Sequence, residues 1–212
     1  MDLAKYIDHT LLKPEATSLD VERLCSEAIE HKFVAVCINP CYVQLAVSLL
    51  AGTGVKVATV IGFPLGANLP VLKAFEAKQV ALQGADEIDM VINIGAAKQG
   101  LWDLVLSEIQ QVVAGAEGRI VKVIVETALL TEDEKKKVCS VVLASGAHYI
   151  KTSTGFSTGG ATIADVELFK GIVGQKIGIK ASGGIRSRAD AEAMIAAGAS
   201  RLGTSAGVSM TN

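Results

Sequence analysis

Two lysines and one aspartate stand where charged side chains are costly. Lys151 follows His148-Tyr149-Ile150, a short apolar run, and precedes Thr152-Ser153-Thr154-Gly155. Lys180 closes Ile177-Gly178-Ile179, and Asp89 interrupts the run from Glu87 to Ile92. An ammonium taken out of water must lose its proton or find partners. Two lysines held close together cannot both keep a proton comfortably, so one pKa falls. A neutral lysine amine is a nucleophile toward aldehydes and ketones. The residues therefore predict Lys151 as a Schiff-base former, with Asp89 near enough to move protons. The plainer alternative is a buried ion pair or a strand-edge position.

Glycines and hydroxyls cluster after the same runs. Thr154-Gly155, Ser182-Gly183-Gly184-Ile185 and Gly203-Thr204-Ser205 are turns whose backbone N–H groups could cradle an anion. A plain turn needs glycine too, but Ser182-Gly183-Gly184-Ile185, placed right after the seventh strand, favours a phosphate. Asp8, His9, Thr10, Cys37 and Asn39 stand at the ends of the first two apolar runs, where His9 and Asn39 either orient substrate hydroxyls or simply satisfy the strand ends. Cys37 reads first as a packed thiol. Lys122 and Glu126 share one parity of a strand and read as an internal ion pair, and Trp102 as a core residue heading a helix.

Something must hold these groups on one face. Strand patterns recur at 6–9, 33–38, 56–61, 87–92, 121–125, 149–152, 178–181 and 201–204. Between them run helical periods, such as Val21, Leu24, Cys25, Ala28 and Ile29, or Val105, Leu106, Ile109, Val112 and Val113. Capping-box spacings open three helices at Thr131, Thr162 and Ser187. Gly84-Ala85, Gly146-Ala147 and Gly198-Ala199 mark helix ends. Eight such units predict a single (β/α)8 TIM barrel over 1–212, with its working face at the C-terminal ends of the strands. The runner-up, an open doubly wound sheet, lacks its Gly-x-Gly-x-x-Gly turn. Only eight residues follow the eighth strand, so the eighth helix is expected to be short or missing.

Composition narrows the classes. Net charge is −2 with no run of like charges, which gives no footprint for nucleic acid or an anionic membrane. No stretch approaches the about eighteen apolar residues of a membrane span, and the start has no apolar signal core. A cytoplasmic protein is expected. Four cysteines show no disulfide framework, and three scattered histidines argue for no metal.

Taken together, the motifs Ile7-Asp8-His9-Thr10-Leu11-Leu12, Val60-Ile61-Gly62-Phe63-Pro64-Leu65-Gly66, Glu87–Asn93, Lys151–Phe156 and Lys180–Arg186 cover the chain in order. In these the chain resembles the deoxyribose-phosphate aldolase family, class I aldolases on a (β/α)8 barrel. The resemblance implies reversible cleavage of 2-deoxy-D-ribose 5-phosphate to acetaldehyde and D-glyceraldehyde 3-phosphate, in deoxyribonucleoside catabolism. It implies no metal or organic cofactor, and a homodimer or homotetramer. Lys151 matches the Schiff-base lysine, while Asp89 and Lys180 match the proton donors and acceptors. Gly155, Gly183, Gly184 and Ser205 match phosphate-binding positions, with Thr154 beside them. Two departures stand out. Some members carry a lysine where this chain has Phe156, and some end in a tyrosine that enters the site, where this chain reads Ser209-Met210-Thr211-Asn212. Another phosphate-binding barrel lyase or isomerase, or a non-catalytic sugar-phosphate-binding barrel, remains the alternative.

Overall fold

The computed structural model describes residues 1–211, leaving Asn212 outside the description. Eight parallel strands close into a barrel in chain order, with β1 hydrogen-bonded to β8. They are β1 (Ile7–Leu11), β2 (Ala35–Ile38), β3 (Lys56–Ile61), β4 (Glu87–Val91), β5 (Ile120–Ile124), β6 (Tyr149–Lys151), β7 (Gly178–Ser182) and β8 (Arg201–Thr204). Closure rules out the open doubly wound sheet. The helices are α1 (Ser18–Glu30), α2 (Val43–Leu50), α3 (Pro70–Leu82), α4 (Ile94–Lys98), α5 (Trp102–Gly115), α6 (Glu132–Ala144), α7 (Ile163–Val173), α8 (Arg188–Ala197) and α9 (Gly207–Thr211). The helix after β8 is indeed short, a five-residue α9 that packs on β1 and α8 and buries Met210.

Local chemistry explains most boundaries. Thr131 and Ser187 form the expected capping boxes with Glu134 and Asp190. At α7 the box is half made. Thr162 accepts from the Asp165 N–H, but the Asp165 carboxylate turns to Lys135 at 2.6 Å instead of reaching back. A full box that the sequence reading passed over opens α1, between Thr17 and Asp20. Gly84, Gly146 and Gly198 have φ of +103°, +85° and +121°, the left-handed region that lets a helix turn back into a strand. The first strand begins one residue later than expected, because residues 3–6 wind into a short 3₁₀ turn.

Outward strand residues such as Val36, Ile88, Val123, Ile150 and Leu202 join the helices in one continuous apolar shell. The inner face is different. Its apolar part is a small cluster of Ala35, Cys37, Ala58 and Val60 from β2 and β3, capped by Leu12. Around it the interior also carries most of the barrel's buried charges. Register sets Asp89 beside Lys122, Lys151 beside Lys180 and Lys180 beside Arg201. Alternation of side chains along a strand then commits all of them to the inside.

Candidate active site

Seven ionisable groups meet inside the barrel: Asp8, Glu87, Asp89, Lys122, Lys151, Lys180 and Arg201, all buried. Asp89 is the hub. Its Oδ2 accepts from Lys151 Nζ at 2.8 Å and from Lys180 Nζ at 2.7 Å, while Oδ1 accepts from Lys122 Nζ at 2.7 Å. Lys180 also donates to Asp8 at 2.5 Å, and Lys122 lies 2.6 Å from Glu87. Arg201 closes the ring with one nitrogen 2.9 Å from Asp8 and the other 2.5 Å from Glu87. Gly203 leaves room for this arrangement. A β-carbon there would sit 3.1 Å from Lys180 Cε and 2.9 Å from Ser182 Cβ.

The two lysines named by the sequence are driven apart electrically. Burial lowers the pKa of Lys151, Asp89 pulls against it, and the positive charge of Lys180 adds to the lowering. Lys180 goes the other way: burial opposes its charge, but Asp8 and Asp89 outweigh that and raise its pKa. The depression of Lys151 therefore owes more to burial than to its neighbour's charge, a correction to the like-charge argument. Asp89 is also buried, yet Lys122, Lys151 and Lys180 together hold its carboxyl well below the ordinary range. Within this interior one amine is pushed toward losing its proton, beside an ammonium and a carboxylate that are pushed toward keeping their charges.

Above the network opens a cleft of about 450 Å³, and Lys151 lines its floor. Thr154, Gly155, Gly183, Gly184 and Ser205 line it, so every expected anion-binding position reaches one wall. Gly155, Gly183 and Gly184 have φ of +83°, +85° and +79°. The loop after β6 crosses the turn after β7 so closely that Gly160 Cα lies 3.0 Å from where a β-carbon on Gly183 would be. Only glycine fits both demands. Neither Gly155 nor Gly184 donates its N–H to another described residue. Thr154 is less free. Its hydroxyl donates to Glu126, and its Oγ1 accepts from the Phe156 N–H at 3.1 Å.

Several expectations need revision. Lys122 is an internal ion-pair partner, but of Asp89 and Glu87, not of Glu126. The chain turns left-handed at Glu126, with φ of +57°, and swings its carboxylate to the Thr154 N–H, 3.2 Å away. Strand parity no longer applies beyond that point. His9 faces outward and pairs with Glu27 of α1 at 2.6 Å. Asn39 ties its amide to the Lys13 carbonyl at 3.4 Å, outside the cleft wall. Asp8 does lie within the site, beneath the cleft, as a partner of Lys180. Cys37 is both packed and inward-facing, with burial pushing its thiol pKa up. Lys13 and Arg186 line the cleft and were not expected there. Glu87 and Arg201 were also missed, although Glu87 stands two residues before Asp89 on the same strand face.

Phe156 is half-exposed at the rim. Its ring meets Phe63 edge-on, with centroids 5.2 Å apart. A second cavity, about 400 Å³, lies where Ile120, His148, Gly178 and Ser200 line the opposite end of the strands. It includes neither Lys151 nor Lys180.

A closed parallel barrel that holds a buried lysine of lowered pKa beneath a glycine-rich rim has the parts that a carbonyl-condensing barrel enzyme needs. The chain belongs to the DeoC/LacD family of aldolases, whose family description matches residues 3–211. It is 58% identical over 212 residues to a deoxyribose-phosphate aldolase of Streptococcus suis, covering all of this chain and 96% of that one. It is 55% identical to one of Coprothermobacter proteolyticus, covering 98% and 95%. Among solved structures it resembles the tetrameric deoxyribose phosphate aldolase of Aeropyrum pernix, with a TM-score of 0.92, 36% identity and coverage of 99% and 89%.

Proposed function

We propose that the chain is a class I aldolase that reversibly cleaves 2-deoxy-D-ribose 5-phosphate to acetaldehyde and D-glyceraldehyde 3-phosphate, in deoxyribonucleoside catabolism. The observation that carries this reading is Lys151, buried and depressed in pKa, on the floor of a glycine-rimmed cleft and 2.8 Å from Asp89. The relatives' names supply the substrate.

In the cleavage direction the neutral Lys151 amine attacks the C1 aldehyde of the open-chain sugar. Loss of water gives an iminium. Removal of the C3 hydroxyl proton lets the C2–C3 bond break, and its electron pair flows into an enamine. Glyceraldehyde 3-phosphate departs. Protonation of the enamine carbon and hydrolysis then release acetaldehyde and restore the amine. Asp89 and Lys180 serve as proton donor and acceptor around the carbinolamine and enamine. The backbone of Gly155, Gly183, Gly184 and Ser205, with Thr154 alongside, receives the phosphate. Lys13 and Arg186 in the cleft wall supply the positive charge that Phe156 does not.

We further read the active form as a homodimer or homotetramer, in line with the tetrameric relative, and its site as the cytoplasm. Among the described residues no helix is long and apolar enough to cross a membrane.

Borohydride reduction in the presence of acetaldehyde tests the central assignment. An N-ethyl adduct on Lys151 is expected by peptide mapping. No adduct, or one confined to Lys180, overturns it. Lys151→Met is expected to abolish turnover while leaving the circular dichroism spectrum unchanged. Exhaustive chelation is expected to leave activity intact, and its loss would move the reaction to a metal-dependent class.

A further inference from the structure

The charges inside the barrel do not balance when every group is ionised. Three carboxylates, from Asp8, Glu87 and Asp89, face four cations, from Lys122, Lys151, Lys180 and Arg201. An uncompensated charge in such an interior is expensive, so one proton should be missing. The contacts indicate which. Lys122 lies within 2.7 Å of both Glu87 and Asp89, Lys180 within 2.7 Å of both Asp8 and Asp89, and Arg201 bridges Asp8 and Glu87. Lys151 has a single carboxylate contact, to an oxygen of Asp89 that Lys180 also uses. It is the cheapest cation to discharge.

We infer that Glu87 and Arg201, which bond to each other and not to Lys151, are positioning residues that set the proton count of the interior and so keep Lys151 uncharged. Arg201 is the cation that makes the count odd. It is also the one member that cannot discharge itself, since a guanidinium stays protonated. The surplus proton must therefore come from a lysine. Glu87 sets the lower limit on how much positive charge the interior tolerates.

Other groups near Lys151 do not alter the count. Cys37 faces it from β2 with a thiol that burial keeps protonated. Glu126, at the end of β5, spends its carboxylate on the Thr154 N–H and hydroxyl. Lys13 and Arg186 lie in the cleft wall beside solvent.

This inference rests on Lys151 being the Schiff-base former, and its test separates the two ideas. The rate of reductive trapping with acetaldehyde and cyanoborohydride, located by peptide mapping, is measured against pH for the parent and for variants. Failure of the parent to trap on Lys151 sinks the functional reading itself. With the parent trapping, Arg201→Gln leaves three lysines against three carboxylates. The acidic limb of the profile should then rise by about one pH unit or more. Arg201→Lys restores the charge and should bring the limb back toward the parent's. Glu87→Gln, close in shape to the parent, should move the limb down. Should Arg201→Gln fail to fold, Glu87→Gln decides alone. A limb that stays in place, or moves the opposite way, in folded variants that still trap on Lys151 overturns the inference.

Discussion

At the level of single residues, reactivity here is a question of which proton is least wanted. Lys151 and Lys180 are neighbours in register, equally long and equally buried, yet their pKa values move in opposite directions. The difference is in partners. Lys180 lies against two carboxylates and Lys151 against one. Removing the charge at position 180 should therefore do two things. It removes a proton donor, which is expected to lower kcat by about 10² to 10⁴. It also removes a repulsion, so Lys151 holds its proton to higher pH. For Lys180→Met the residual activity should show an acidic limb displaced upward, read from rate against pH. A limb displaced downward would mean that Lys180 does not act on Lys151 through its charge. Both lysines and Asp89 were legible in the sequence because each breaks an apolar run. Glu87 and Arg201 obey the same parity, but each opens its strand, where a charge looks like a solvated end, while Lys122 was legible as an internal ion-pair partner but not whose partner it is. In a closed barrel with a charged interior, that assumption fails.

Single elements carry the site by being clipped to one another. The loop after β3 is held from below by Lys73 of α3, fully buried, which donates to the Gly66 and Val91 carbonyls at 2.6 and 2.8 Å. Its third contact is Glu108 of α5 at 2.5 Å, whose other oxygen accepts from the Asn93 N–H at 2.9 Å. This pair joins α3, α5 and the C-terminal end of β4, two residues beyond Asp89 on that strand. Burial lowers the pKa of Lys73 and raises that of Glu108, and each partner's charge restrains the other's shift. Lys73→Met leaves a buried carboxylate without its cation and is expected to cost about 3–5 kcal/mol in urea denaturation. Adding Glu108→Leu should recover a large share of that loss. Recovery near zero would show that the carbonyl contacts, not the ion pair, hold the clip. The helical pattern of α5 was readable in the sequence, but the burial of Glu108 beside its apolar stripe was not. Its partner is 35 residues away on another helix, and periodicity describes one element at a time. The turns were easier to read. Gly84, Gly146 and Gly198 announce themselves because only glycine turns left-handed at little cost.

Across the whole molecule, a charged interior ties stability to pH on both sides. Asp8 and Asp89 are each buried, a cost to ionisation, but the surrounding cations keep both carboxyls below their usual value of 3.8. In the unfolded chain they protonate near that value; in the native barrel they do so only at lower pH. Below about pH 4 the unfolded state therefore binds more protons, and stability falls as pH drops toward the native values. Lys122 and Lys180 have the opposite sign. Burial works against their charge, but the carboxylates raise both above 10.5, so the unfolded chain releases these protons first and stability falls as pH rises beyond that value. Between the two limits these four groups contribute a plateau. Urea midpoints measured from pH 2.5 to 8 should fall steeply below about pH 4.5, with a gentler rise toward higher pH from Lys151, whose depressed pKa lets the native state release its proton before the unfolded chain does. Asp89→Asn should be less stable on the plateau, since three lysines lose a shared partner. Its acid limb should also be shallower, because one strongly shifted carboxyl no longer titrates. A variant with the parent's acid limb would mean that the hub carboxylate contributes nothing to acid stability, and that other groups govern unfolding there.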